Sequence, residues 1–127
     1  MIVVDTSVWI EFFRGREPVT ARLRELLDRD EVALAIPVRI EILSGARKTE
    51  VGRLARLLAA LPVLHPSAET WFRIEEWVTA SIAAGQRFGV GDLLIGALAA
   101  ENGCSLWSLD TDFRRMSRLG FVALATP

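Results

Sequence analysis

Met1-Ile2-Val3-Val4-Asp5-Thr6-Ser7 is the stretch on which the fold turns: an apolar run rich in β-branched residues, then a carboxylate, then two hydroxyls. An apolar run this short reads as a strand buried on both faces, as strands of parallel sheets are. Asp5 then stands at the strand's C-terminal tip, and in open α/β sheets that tip is where ligands bind. A carboxylate there needs a partner: a metal ion, a basic group or the N–H donors of a helix end.

Outward from this strand, strand-like and helix-like segments alternate along the whole chain. That alternation predicts an α/β fold with a mostly parallel sheet. Strands are expected over residues 2–4, 32–35, 63–65, 105–108 and 121–124. Helices are expected over 7–14, 19–30, 37–43, 49–61, 67–84, 92–102 and 111–119. Pro18 and Pro37 sit near helix starts, Ser67 is a natural N-cap, and Gly45, Gly103 and Gly120 are natural stops. Val51, Leu54, Leu58 and Leu61 recur every three or four residues, as on one face of a helix. With no internal repeat, linker or low-complexity stretch, residues 1–127 read as one domain.

Composition narrows the class. Hydrophobic residues make up 51% of 127 positions, which describes a packed globular chain. Net charge is -1, so no basic surplus announces nucleic-acid binding. Fourteen of the fifteen basic residues are nonetheless Arg, the better planar partner for phosphate; Lys48 is the one Lys. Arg-favouring codon usage explains the same bias. Cys104 is the single cysteine, which rules out an intrachain disulfide; in its apolar stretch it reads as a small buried hydrophobe. No basic leader precedes the first apolar run, and no apolar run approaches the roughly 18 residues of a membrane span. A cytoplasmic protein without membrane association is the expectation.

The acids are placed unevenly. Asp5 ends the first strand. Glu41 lies about one turn into the third helix, between Ile40 and Ile42. Asp92 begins the helix that continues Leu93-Leu94-Ile95, and Asp110 and Asp112 follow the fourth strand. Each has an ordinary structural reading. Asp92 and Asp110 are good N-caps, Glu41 suits the exposed side of an amphipathic helix, and Asp5 suits a turn with Thr6 and Ser7. Together they read differently. The first and fourth strands of a doubly wound sheet are commonly neighbours across the switch point, which would bring Asp5 and Asp110 to one crevice.

Converging carboxylates repel, so some are protonated or they share a cation. An all-oxygen donor set suits a hard divalent ion, Mg²⁺ or Mn²⁺. Zinc is not expected, because His65 and Cys104 are isolated. The missing His also argues against Ser-His-Asp or Cys-His nucleophiles, and no Gly-rich phosphate loop precedes Lys48. Carboxylate-held Mg²⁺ clamps phosphates and activates water for in-line displacement at phosphorus. A receiver domain would need a Lys near the end of the fifth strand. A phosphatase would want a second Asp two residues after the first, where this chain has Ser7.

Four segments carry a resemblance: Val4-Asp5-Thr6-Ser7-Val8-Trp9-Ile10, Glu41-Ile42-Leu43-Ser44-Gly45, Gly91-Asp92-Leu93-Leu94-Ile95-Gly96-Ala97 and Leu109-Asp110-Thr111-Asp112-Phe113. In that order, across the whole chain, they resemble the acidic motifs of PIN-domain nucleases, and in particular the VapC-type toxins of toxin–antitoxin pairs. The resemblance implies a three-layer α/β/α sandwich around a mostly parallel five-stranded sheet. It implies a Mg²⁺- or Mn²⁺-dependent endoribonuclease with RNA as substrate, a cognate antitoxin and a homodimer. By position, Asp5, Glu41, Asp92 and Asp110 match the catalytic, metal-holding quartet, and Asp112 matches a further acid of the last motif. The fourth ligand is left open between Asp110 and Asp112. Ser108 stands where the family often has Thr, and Arg39 where a small polar residue is frequent.

On that basis Asp5 and Asp92 are expected to bind the principal metal, with Glu41 and Asp110 completing the cage and orienting water. Thr6, Ser7 and Ser108 are the supporting hydroxyls. Arg14, Arg16, Arg87, Arg114 and Arg115 are candidates for flanking phosphates. Trp9, Phe12 and Phe13 on the first helix, with the Leu stripe of the fourth, are candidates for core or for an antitoxin groove. The competing reading is a catalytically inactive PIN-like module that binds RNA or a partner without cleaving; the full set of acids weighs against it.

Overall fold

The computed structural model describes residues 1–125 and 127. Chain order is β1 (Ile2–Val4), α1 (Thr6–Phe13), α2 (Val19–Asp28), β2 (Val32–Ala35), α3 (Ile36–Ser44), α4 (Val51–Ala59), β3 (Val63–Leu64), α5 (Ala68–Ala83), α6 (Val90–Glu101), β4 (Ser105–Trp107) and α7 (Thr111–Arg118). The strands line up as β3-β2-β1-β4. Every pairing is parallel, with Ile2 opposite Val32, Val3 opposite Leu106, and Leu34 opposite Val63. Helices flank the sheet, as the alternation predicts.

The order of the strands positions everything that follows. The chain steps from β1 outward to β2 and β3, then returns to lay β4 on the other side of β1. The switch point therefore falls between β1 and β4, and the C-terminal tips there form the crevice of an open α/β sheet. Pairing continues past the strand ends: the Asp5 N–H donates to the Trp107 carbonyl at 2.9 Å.

Burial explains why these segments are strands. All four residues of β2 are buried, and Val3 and Val4 of β1 are fully so. Helix ends follow local chemistry. The second helix stops at Asp28, two residues short of expectation, because Asp30 turns left-handed (φ 54°) and Glu31 N–H closes back on Leu26. Ser67 N–H donates to Thr70 Oγ1 at 3.0 Å at the start of α5. Cys104 is buried, as expected.

The fifth strand does not form. Residues 121–124 contribute a single parallel bridge, Leu124 to Leu106, held by Leu106 N–H to the Ala123 carbonyl and Ala125 N–H to the Leu106 carbonyl, each 2.8 Å. Gly120 turns left-handed (φ 79°), and Phe121 N–H is spent closing α7 on Met116 at 3.0 Å. The side chains still pack: Phe121 stacks on Trp77 at 4.6 Å and Val122 is buried. The apolar pattern here reports burial and not ladder pairing.

Gly96 of α6 is where three elements converge. A Cβ there would lie 3.1 Å from Val122 Cγ1, 3.3 Å from Trp77 Cζ3 and 3.4 Å from Met116 Sδ. Gly96→Leu is expected to cost about 1–3 kcal/mol by overpacking, read from the midpoint of urea unfolding. A midpoint equal to that of the wild type would show that this junction is loose.

Candidate metal centre

Asp5 is 6% exposed, at the tip of the central strand. Its Oδ2 accepts from Ser7 Oγ at 2.8 Å and from Ser108 Oγ at 2.7 Å. Both hydroxyls are themselves tied to the turn after β4: Leu109 N–H donates to Ser7 Oγ and Asp110 N–H to Ser108 Oγ, each at 3.0 Å. Ser7 and Ser108 thus lock the two strand tips together and hold one oxygen of Asp5. Of the two hydroxyls expected to support Asp5 from its own side, Ser7 does so. Thr6 turns the other way and donates to Glu41 Oε2 at 2.5 Å.

The last acidic motif is delivered by β4 and α7. Asp110 caps α7, its Oδ1 accepting from Asp112 N–H at 2.9 Å. The ordinary capping role and membership of the cluster are therefore compatible, because one oxygen caps and one is left. Asp92 is not a cap. It is the third residue of α6, in the first turn, behind a cap at Gly89.

Asp92, Asp110 and Asp112 each place an oxygen within 4.8 Å of the others. Asp92 is pushed up from 3.8 to about 6, first by burial, then by the charges of Asp110, Asp5 and Asp112 and by a carboxyl–carboxyl contact with Asp112. Burial and the neighbouring negative charges thus act in the same direction on Asp92. Three oxygens at this spacing, with Asp5 near enough to bias Asp92, fit a hard divalent cation. His65 is exposed beside Glu69 and Arg73, in a depression that none of the clustered acids lines.

Glu41 is exposed on α3, and its Oε1 would lie 4.0 Å from a Cβ at Gly91. It borders the N-terminus of α6 without joining the three-acid cluster. It also shares a groove of about 520 Å³ with Thr6, Ile10, Phe13, Arg14 and Leu54. Trp9 belongs to the core, fully buried and stacked on Phe13, which is itself 41% exposed.

The five arginines separate. Arg16 pairs with Glu11 at 3.1 Å. Arg115 is turned inward: Nη2 donates to Asp112 Oδ1 at 2.7 Å, Nη1 donates to Gln86, and the guanidinium carbon lies 4.5 Å over the Phe88 ring. Arg14, Arg87 and Arg114 are exposed. Arg114 lines a small pocket with Ser108 and Asp110. Gln86 and Phe88 carry no sequence signal, since nothing in a Gly85–Gly89 loop announces contacts to a helix 29 residues on.

The sequence model of the PIN domain family matches residues 2–119. VapC ribonuclease Mb1587 of Mycobacterium bovis is 34% identical, the alignment covering 94% of this chain and 93% of that protein. The fold matches VapBC2 from Rickettsia felis bound to a DNA fragment from their promoter, with TM-score 0.78, 22% identity and 98% of each chain covered. It also matches a toxin-antitoxin complex from Klebsiella pneumoniae, with TM-score 0.76, 18% identity, and 97% of this chain and 96% of that one covered.

Proposed function

The chain belongs to the PIN-domain family, among its VapC-type members, and on that premise we propose that it is a Mg²⁺- or Mn²⁺-dependent endoribonuclease, the toxin of a toxin–antitoxin pair. It hydrolyses RNA phosphodiester bonds in the cytoplasm. The observation that carries this reading is the cluster itself: Asp92, Asp110 and Asp112 at the switch point, with Asp5 beside them. An acid raised to about 6 by burial and by the charges of Asp110, Asp5 and Asp112 supports the same reading, since such shifts cluster at functional sites.

Each residue has a part. Asp5 presents the oxygen that Ser7 and Ser108 leave free. Asp92, Asp110 and Asp112 offer one oxygen each. The bound cation supplies charge neutralisation at phosphorus and a more acidic water. Glu41, steadied by Thr6 at the border, and the exposed Asp110 orient the attacking water. Arg14, Arg87 and Arg114 hold flanking phosphates.

A partner is proposed on the same evidence. Ile10, Phe13 and Leu54 line one groove together with Thr6 and Glu41. An antitoxin helix laying its apolar face there would also screen the acids. Trp71, Phe72, Val78 and Ile82 of α5 are exposed apolar side chains, the surface a second copy would cover in the expected homodimer. No helix among the described residues is long and apolar enough to cross a membrane.

Purified protein should degrade structured RNA with Mg²⁺ or Mn²⁺, stop on addition of EDTA, and resume on resupply of the cation. Cleavage that ignores chelation rejects the metal mechanism.

A further inference from the structure

Arg115 is the one basic side chain drawn into the acidic cluster among the described residues, and it touches two parts of the site at once. On one side Nη2 holds Asp112 Oδ1 at 2.7 Å. On the other Nη1 donates to Gln86 Oε1, Nη2 reaches the Arg87 carbonyl at 3.5 Å, and the guanidinium stacks on Phe88. Residues 86–88 run straight into Gly89, the cap of α6, and Asp92 is the third residue of that helix. One side chain therefore binds one acid of the cluster and the segment that delivers another.

We propose that Arg115 is a positioning residue for the metal centre, a clamp between α7 and the 86–88 loop that sets how far Asp112 stands from Asp92. The inference rests on the metal reading above. The physical need is electrostatic: charged carboxylates that face each other repel, and a tie between the loop and α7 opposes that repulsion. Arg115 binds Asp112 through Oδ1 and leaves Oδ2 free of that bond. A guanidinium suits this task because its planar fork serves several acceptors in fixed directions while one face stacks on a ring. A lysine supplies the charge at one point. This differs from the role the bare sequence suggests for Arg115, a contact to RNA phosphate.

The test is Mn²⁺ binding by calorimetry without RNA, on wild type, Arg115→Met and Arg115→Lys, with limited trypsin digestion followed at Arg87. Both variants should bind Mn²⁺ about tenfold more weakly, as loss of a partner behind a metal ligand typically does. Both should be cut faster after Arg87, and Arg115→Lys should keep its KM for RNA at saturating Mn²⁺. Gln86→Ala, which removes one leg of the clamp and no charge, should shift both readouts the same way and covers the case in which Arg115→Met does not fold. Wild-type Mn²⁺ affinity in both Arg115 variants overturns the proposal. So does wild-type affinity in Arg115→Lys alone, which would mean that charge suffices, or intact Mn²⁺ binding with a raised KM, which would mean a phosphate contact. A wild type that binds no Mn²⁺ overturns the metal reading and the clamp together, an outcome distinct from the other three.

Discussion

Asp92→Asn is expected to lower RNA cleavage by about 10³-fold or more, since cation-centred stabilisation is worth several kcal/mol and each 1.36 kcal/mol is tenfold. The same substitution should raise the melting temperature of the metal-free protein. The two effects have one cause. Asp92 is raised from 3.8 to about 6 by burial and by Asp110, Asp5 and Asp112, so the metal-free fold disfavours its charge. A group raised in the folded state contributes stability that is fully present below its unfolded value, near 3.8, and is lost as pH climbs through about 6. At pH 7.5 the wild type carries that penalty and Asn does not. Discounted for solvent screening at a half-buried site, the gain is about 1 kcal/mol, or about 3–6 °C for a chain of this size. Asp5→Asn should lose cleavage equally. A fully active Asp92→Asn or Asp5→Asn would mean that the ligands are misassigned. An inactive Asp92→Asn with a lowered metal-free melting temperature would mean that Asp92 is a structural acid.

The second large effect is the pH dependence of stabilisation by the cation. Divalent ion and proton compete for Asp92. At pH 7.5 the carboxylate is free to bind; at pH 5 the proton must first leave, which weakens apparent affinity about tenfold for a group titrating near 6. Mn²⁺ should therefore raise the melting temperature markedly at pH 7.5 and much less at pH 5, by the mass-action relation between ligand concentration and stability. Differential scanning fluorimetry over pH 5–8, with and without Mn²⁺, measures this. A shift that does not vary with pH would place the ion on groups other than Asp92.

The expectations that held came from strong local signals. β2 is found at the predicted residues, 32–35, because four consecutive apolar residues between turn signals leave one good solution for the backbone. The neighbouring of β1 and β4 was expected from the common strand order of doubly wound sheets, and it is what joins Asp5 to the 108–112 segment. The fifth strand failed because an apolar pattern reports burial. Whether a buried segment also joins a ladder depends on how the preceding helix closes, and here Gly120 and Phe121 are used for that.

For the site, residue type and order along the chain were enough to nominate Asp5, Glu41, Asp92, Asp110 and Asp112 as one chemical group. The signal was an acid set within or beside an apolar segment, where burial would be costly without compensation; the structure buries Asp5, half-buries Asp92 and Asp112, and leaves Glu41 and Asp110 exposed. Distances and hydrogen-bond directions decided the rest. Ser7 serves Asp5 while Thr6 serves Glu41, Glu41 stands at the border while three aspartates converge, and Arg115 faces inward while Arg114 faces out. Adjacent residues of a helix diverge by about 100°, so neighbours of like chemistry receive different tasks once the helix is docked. The hydroxyl chemistry of Thr6 and Ser7 is the same, as is the guanidinium of Arg114 and Arg115; the packing of α1 and α7 against the sheet distinguishes their tasks.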